Sequence, residues 1–173
     1  INGEKFSGKT HLVNIFLKKF NGIRIDVNSL NDENLKSIKP YQNIVLEDLN
    51  LNINEKLIYS LFNIIDQDNK FLIITSTKPI SEINFQLEDL RSRTKNCLFA
   101  NIQNPDDELM FALILKNLSD RQITLDKKLI DFIIKRIERS YGKIFEFIYK
   151  IDKISLKKKK SIDFKIINEA LEE

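Results

Sequence analysis

The chain is poor in the residues that build disulfides and metal clusters, with one cysteine, Cys97, and one histidine, His11, among 173 residues. A lone cysteine excludes an internal disulfide, and a single histidine beside it leaves no cysteine/histidine ligand set. That scarcity fits a reducing compartment. Long apolar runs are missing too: none approaches the roughly 18 residues that a membrane-spanning helix needs, so no membrane insertion is expected. There is no strong excess of one charge, because 28 basic and 25 acidic residues leave a net +3, too little to argue for nucleic-acid binding. What is present is 42% hydrophobic and 31% charged, with the apolar residues in periodic segments. That is the composition of a globular chain able to bury a core without covalent staples.

Against this background one motif stands out. Gly3-Glu4-Lys5-Phe6-Ser7-Gly8-Lys9-Thr10 is a complete G-x-x-x-x-G-K-[ST] phosphate-binding loop. Its glycines let backbone N–H groups turn around phosphates, Lys9 sets a cation on the β and γ positions, and the Thr10 hydroxyl takes a Mg²⁺ position. The helix expected from His11 to about Phe20 directs its positive end at the same anion. The implied ligand is ADP or ATP with Mg²⁺. Such loops ordinarily follow a β-strand, and here only Ile1 and Asn2 come first, so the chain reads as lacking upstream sequence.

Further along, strands are expected at Gly22–Val27, Asn43–Asp48, Phe71–Ser76 and Leu98–Ile102, with a helix from Asn54 to about Gln67 on the strength of its apolar spacing. Strands separated by helices imply an α/β fold with a parallel sheet covered by helices. Asn104-Pro105 then punctuates the chain. Beyond it, 106–118, 125–139, 141–154 and 163–171 all read as helices, with Thr124 and Ser161 as start signals for the second and fourth. The expected organisation is an α/β base over 1–104 and an all-helical lid over 105–173. Lys157 to Lys160 is placed in the connection before the last helix, as a solvated loop.

Around the loop, Ile44-Val45-Leu46-Glu47-Asp48 is a buried-strand pattern delivering two acids at its carboxyl end. Glu47 is the candidate Mg²⁺ ligand and Asp48 the candidate for polarising an attacking water. Thr75, Ser76 and Thr77 supply hydroxyls at the end of the next strand. Leu90-Arg91-Ser92-Arg93 sets two guanidinium groups on what reads as a turn, either as surface ion pairs with Glu88 or Asp89 or as an arginine supplied to a neighbouring subunit's phosphates.

The order of these pieces resembles the AAA+ module of the DnaA replication-initiator family, and most closely its Hda-like regulators. The resemblance rests on Gly8-Lys9-Thr10-His11-Leu12, on Thr75-Ser76 with Pro79, on Asp89-Leu90-Arg91-Ser92-Arg93 and on Pro105-Asp106-Asp107-Glu108. It implies that Gly3 to His11 bind nucleotide, that Glu47 and Asp48 are the Walker B acids, that Thr77 stands at sensor 1, and that Arg93 is an arginine finger acting in trans. The family usually has Asp where Glu47 stands. Gly142 occupies the place of the sensor 2 arginine, leaving Lys143 or Arg139 to substitute on the phosphates. The implied protein is bacterial and cytoplasmic: either a weak ATPase or an ADP-bound regulator that promotes ATP hydrolysis by a DnaA-type initiator. Its other implied partners are the DNA sliding clamp, through a segment upstream of Ile1, and copies of itself, with no direct DNA binding. The alternatives are the AAA+ core of an initiator that binds the origin, and a nucleotide-locked adaptor without catalysis.

Overall fold

Three parallel strands carry the first part of the chain. In the computed structural model, which describes residues 1–50 and 53–172, helix α1 (Lys9–Lys19) precedes strand β1 (Gly22–Asp26). Helix α2 (Asp32–Ser37), strand β2 (Asn43–Leu49), helix α3 (Glu55–Gln67), strand β3 (Phe71–Ser76) and helix α4 (Glu88–Lys95) follow. The sheet order is β1-β2-β3, with Ile25 opposite Leu46 and Leu46 opposite Ile74. Strands β2 and β3 are apolar at their centres, through Ile44-Val45-Leu46 and Leu72-Ile73-Ile74, as a sheet covered by helices requires, whereas β1 sets Arg24 between Ile23 and Ile25. Ile44, Val45 and Leu46 are fully buried. Against Ile44 and Leu46 pack Ile58 and Leu61 of α3, spaced to share one face of that helix.

The chain start adds to this sheet. Asn2 bridges Ser76 on one side and Asn101 on the other, both in parallel. Asn2 N–H donates to Ala100 O at 2.9 Å and Ile102 N–H donates to Asn2 O at 2.8 Å. The strand expected at Leu98–Ile102 is thus reduced to a bridge at Asn101, next to a fully exposed Leu98.

The chain divides into two compact units, one of residues 1–3 with 8–102, the other of residues 4–7 with 103–173. The second is helical: α5 (Asp107–Ser119), α6 (Lys127–Ile134), α7 (Tyr141–Lys158) and α8 (Phe164–Glu172). Its core is built from Met110, Ile114, Ile133, Ile148, Ile151 and Ile167. The Asp106 and Ser140 side chains accept from Leu109 N–H and Lys143 N–H at the starts of α5 and α7.

Several expectations from the sequence are corrected by the fold. The segment expected to be helical over 125–139 forms helix only at Lys127–Ile134 and follows Asp126, not Thr124. Helix α8 begins at Phe164, with Asp163 Oδ1 accepting from Lys165 and Ile166 N–H, so Asp163 does the capping expected of Ser161. Lys157 and Lys158 belong to the last turn of α7 and Lys159 closes it in a left-handed conformation. Basic side chains there are favoured by the negative end of the helix dipole. Arg91 and Arg93 lie on helix α4 rather than on a turn.

Candidate functional site

The loop geometry begins at Gly8. Its φ of +91° is in the left-handed region that side chains with a Cβ avoid. From there α1 starts, with Leu12 N–H donating to Gly8 O at 3.1 Å. The N–H groups of the first turn, Lys9, Thr10 and His11, have no acceptor within their own helix and are the natural anion donors. Lys9 is buried and its Nζ donates to Gly3 O at 2.8 Å, closing the α/β end of the loop on itself. Thr10 and His11 are exposed.

The middle of the loop groups with the helical unit. Glu4 accepts at both carboxylate oxygens, from Ser140 Oγ at 2.9 Å and from Tyr141 N–H. A carboxylate at a helix start satisfies orphan donors and complements the dipole. Phe6, at φ 66°, stacks on Phe145 with ring centroids 4.8 Å apart. Ser7 is buried, and its Oγ has no hydrogen-bond partner among the described residues. Lys5 is exposed. Lys143 Nζ pairs with Glu146 at 3.1 Å, and Arg139 pairs with Asp107 at 2.9 Å. Both candidates for the absent sensor 2 arginine therefore have carboxylate partners on their own unit. Tyr141 donates its hydroxyl to Gln103 O at 3.1 Å. Burial, then the charges of Glu4 and Asp106, raise its pKa above the usual phenol value.

Strand β2 delivers the two acids as expected, through an irregularity the sequence did not announce. Pairing with β3 shifts register between Leu46 and Leu49. Asp48 sits there at φ 58°, a conformation that Asp tolerates better than most residues. Its N–H donates to Thr75 Oγ1 at 3.0 Å. Thr75, completely buried, is thereby the hydroxyl that holds the acid pair, whereas Thr77 is exposed. Ser76 Oγ donates to Lys78 O.

Glu47 is buried, with Oε2 3.4 Å from Arg24 Nη1. Its other oxygen, Oε1, is buried without a hydrogen-bond partner among the described residues. Arg24 escaped the sequence reading, although an arginine between Ile23 and Ile25 in a strand was a visible signal. The set fits a directly bound Mg²⁺ poorly. Glu47, the candidate ligand, is already matched by a guanidinium, and no group of three His, Cys, Asp or Glu side chains able to hold a metal occurs among the described residues.

Arg93 faces its own unit. Nη1 meets Asp66 at 2.9 Å and Nε meets Asp89 at 2.7 Å, while the guanidinium lies 5.4 Å from the Tyr59 ring centroid. Arg91 is exposed and makes no ion pair among the described residues. A cavity of about 500 Å³ in the α/β unit is lined by Phe62, Ile74, Arg93 and Cys97, and no residue of the phosphate loop borders it. Its size alone does not make it the nucleotide site, since the anion donors lie elsewhere. No helix among the described residues is long and apolar enough to cross a membrane.

A family model described as Hda, lid domain, matches residues 106–171. The chromosomal replication initiator protein DnaA of Lachnoclostridium phytofermentans is 31% identical over 115 residues, which are 66% of this chain and 25% of that protein. Among solved structures, domain III of DnaA from Thermotoga maritima is similar with a TM-score of 0.76 and 17% identity, over 99% of this chain and 81% of that one. AMPPCP-bound DnaA from Aquifex aeolicus is similar with a TM-score of 0.67 and 19% identity, over 87% and 54%. At such identities the structural likeness is one of fold. The chain spans between 25% and 35% of the length of the first initiator relatives that it matches.

Proposed function

Because the chain carries an AAA+ module of the DnaA/Hda family, we propose that it is an Hda-like, nucleotide-binding regulator of replication initiation that promotes ATP hydrolysis by a DnaA-type initiator. The observation that carries the regulator reading is the match of the helical unit, over 106–171, to the lid of Hda. ADP or ATP is held by Gly3 to His11. Lys9 and the first-turn amides of α1 meet the phosphates. Thr10 and Glu47 are the residues that would meet, through water, a Mg²⁺ carried in by the phosphates. Asp48 and Thr77 are assigned to the hydrolytic water and the γ-phosphate, and Lys143 to the nucleotide from the lid.

Arg93 acts in trans on the initiator's ATP. To do so it exchanges Asp66 and Asp89 for phosphate oxygens, a swap of one set of charge-assisted bonds for another. The sliding clamp and further copies of the chain are the other proposed partners, in the bacterial cytoplasm. The test mixes the protein with an ATP-loaded DnaA-type initiator and follows phosphate release. The expected result is stimulated release that Arg93→Ala abolishes while nucleotide binding by the variant is unchanged. Undiminished stimulation by Arg93→Ala overturns the finger assignment.

A second reading, the AAA+ core of an initiator, is favoured by the 31% identity to an initiator over 115 residues. It requires origin DNA binding with a steep salt dependence, which the regulator reading does not.

A further inference from the structure

We propose that Arg24 is a built-in counter-cation for Glu47, so that this chain holds its nucleotide with an affinity that hardly depends on Mg²⁺. The inference rests on the nucleotide-binding reading and concerns the same site.

The geometry starts from register. Strands β1 and β2 pair in parallel with Arg24 opposite Val45 and Asp26 opposite Glu47. Side chains alternate along a strand, so Arg24, Val45 and Glu47 project from the same face of the sheet. Arg24 Nη1 also donates to Asn14 Oδ1 at 3.1 Å, which ties the guanidinium to α1 as well as to β2. Asn14 is four residues after Thr10, and residues so spaced stack on one side of a helix. The guanidinium is thereby anchored one helical turn from the hydroxyl that a Mg²⁺ would use, next to the carboxylate that it would use.

Charge sets the preference of this arrangement. Glu47 is the one acid buried among the described residues, and its side chain is only 11% exposed. A buried carboxylate needs a positive partner, and Arg24 supplies it permanently because a guanidinium does not lose its proton. With that charge cancelled, a divalent ion arriving with the nucleotide gains no net anionic ligand from Glu47. The phosphates must then be held by Lys9 and the amides of the first turn. The free oxygen Oε1 accepts a water rather than a metal. Removing Arg24 uncovers the carboxylate and should convert the site to one that wants Mg²⁺.

The experiment is equilibrium binding of a fluorescent ADP to the whole chain, with Mg²⁺ and again with EDTA, for the parent, Arg24→Ala and Arg24→Gln. Glu47→Gln is run alongside. The expected parent shows less than about a threefold difference between the two conditions. Both Arg24 variants should gain about tenfold in affinity on adding Mg²⁺, and Glu47→Gln in the Arg24→Ala background should erase the gain. Glutamine keeps the side chain's bulk and polarity, so it covers the case where alanine prevents folding. A parent whose affinity falls tenfold or more in EDTA overturns the Arg24 proposal and leaves the nucleotide reading standing. Absence of binding in both conditions overturns both.

Discussion

The amide of Asp48 donates to Thr75 Oγ1 across 3.0 Å, joining the last acid of β2 to the end of β3 where the ladder between them has slipped. Thr75 is fully buried, so its hydroxyl is held in place by the packing around it. Replacing it by valine keeps the shape and removes the acceptor of the part-buried Asp48 N–H, a loss of about 0.5–1.5 kcal/mol. Urea unfolding of Thr75→Val should show that loss, and Thr75→Ser should recover most of it. Equal stability of Thr75→Val and the parent would mean that Asp48 N–H has another acceptor.

Two glycines should respond to alanine with opposite signs. At Gly8 a Cβ meets open space, but φ is +91°, and the backbone cost is about 1–2 kcal/mol. Gly142 lies in the first turn of α7 with ordinary backbone, and its added Cβ would sit 3.6 Å from Ser140 Oγ and 4.0 Å from Phe6. Alanine there should stabilise by about 0.5–1 kcal/mol through helix propensity. Thermal unfolding of the two single variants tests both signs at once.

Lys9→Ala should weaken nucleotide binding by at least about tenfold while leaving the far-ultraviolet dichroism unchanged, since the phosphate charge is left unmatched but the helix remains. Lys9 is held against Gly3 O, so its amine is positioned before any ligand arrives. Binding of fluorescent ADP at parental strength by this variant would remove the loop from the nucleotide assignment.

Alkaline titration reports on Tyr141. Burial, Glu4 and Asp106 raise its pKa in the folded state. An acid whose folded pKa lies above its unfolded value contributes stability that is complete below the unfolded value and is lost as pH climbs through the folded one. Unfolding free energy should therefore hold up to about pH 10, the usual phenol value, and fall as pH rises above it. Tyr141→Phe should be less stable at neutral pH by about 0.5–1.5 kcal/mol, having lost the bond to Gln103 O, and should decline less steeply with alkali. Parallel curves for the two proteins would remove Tyr141 as the source.

The parts legible in the sequence were those with a short period or a fixed spacing. Gly8, Lys9 and Thr10 announce a loop and a helix start because glycine takes the φ of +91° at Gly8 without steric cost and α1 opens directly after it. Ile44 to Leu46 announce a buried strand. Helix α2 was missed because its six residues hold one buried side chain, Leu35, and so carry no apolar repeat. The overlong reading of α6 came from apolar spacing that continues past Ile134, where the helix stops.

What the sequence by itself determined is therefore local: a phosphate loop, a strand ending in two acids, and a helical second half, each set by backbone sterics or side-chain periodicity. Partnership was decided only in three dimensions. Glu47 meets Arg24, separated by 23 positions in the numbering, because β1 and β2 pair in one register. Glu4 meets Tyr141 because a helix start attracts a carboxylate from anywhere in the chain. Arg93 meets Asp66 across α3 and α4. Electrostatic pairing depends on distance in space, and a linear pattern carries none of it until the sheet and the helices have set the distances.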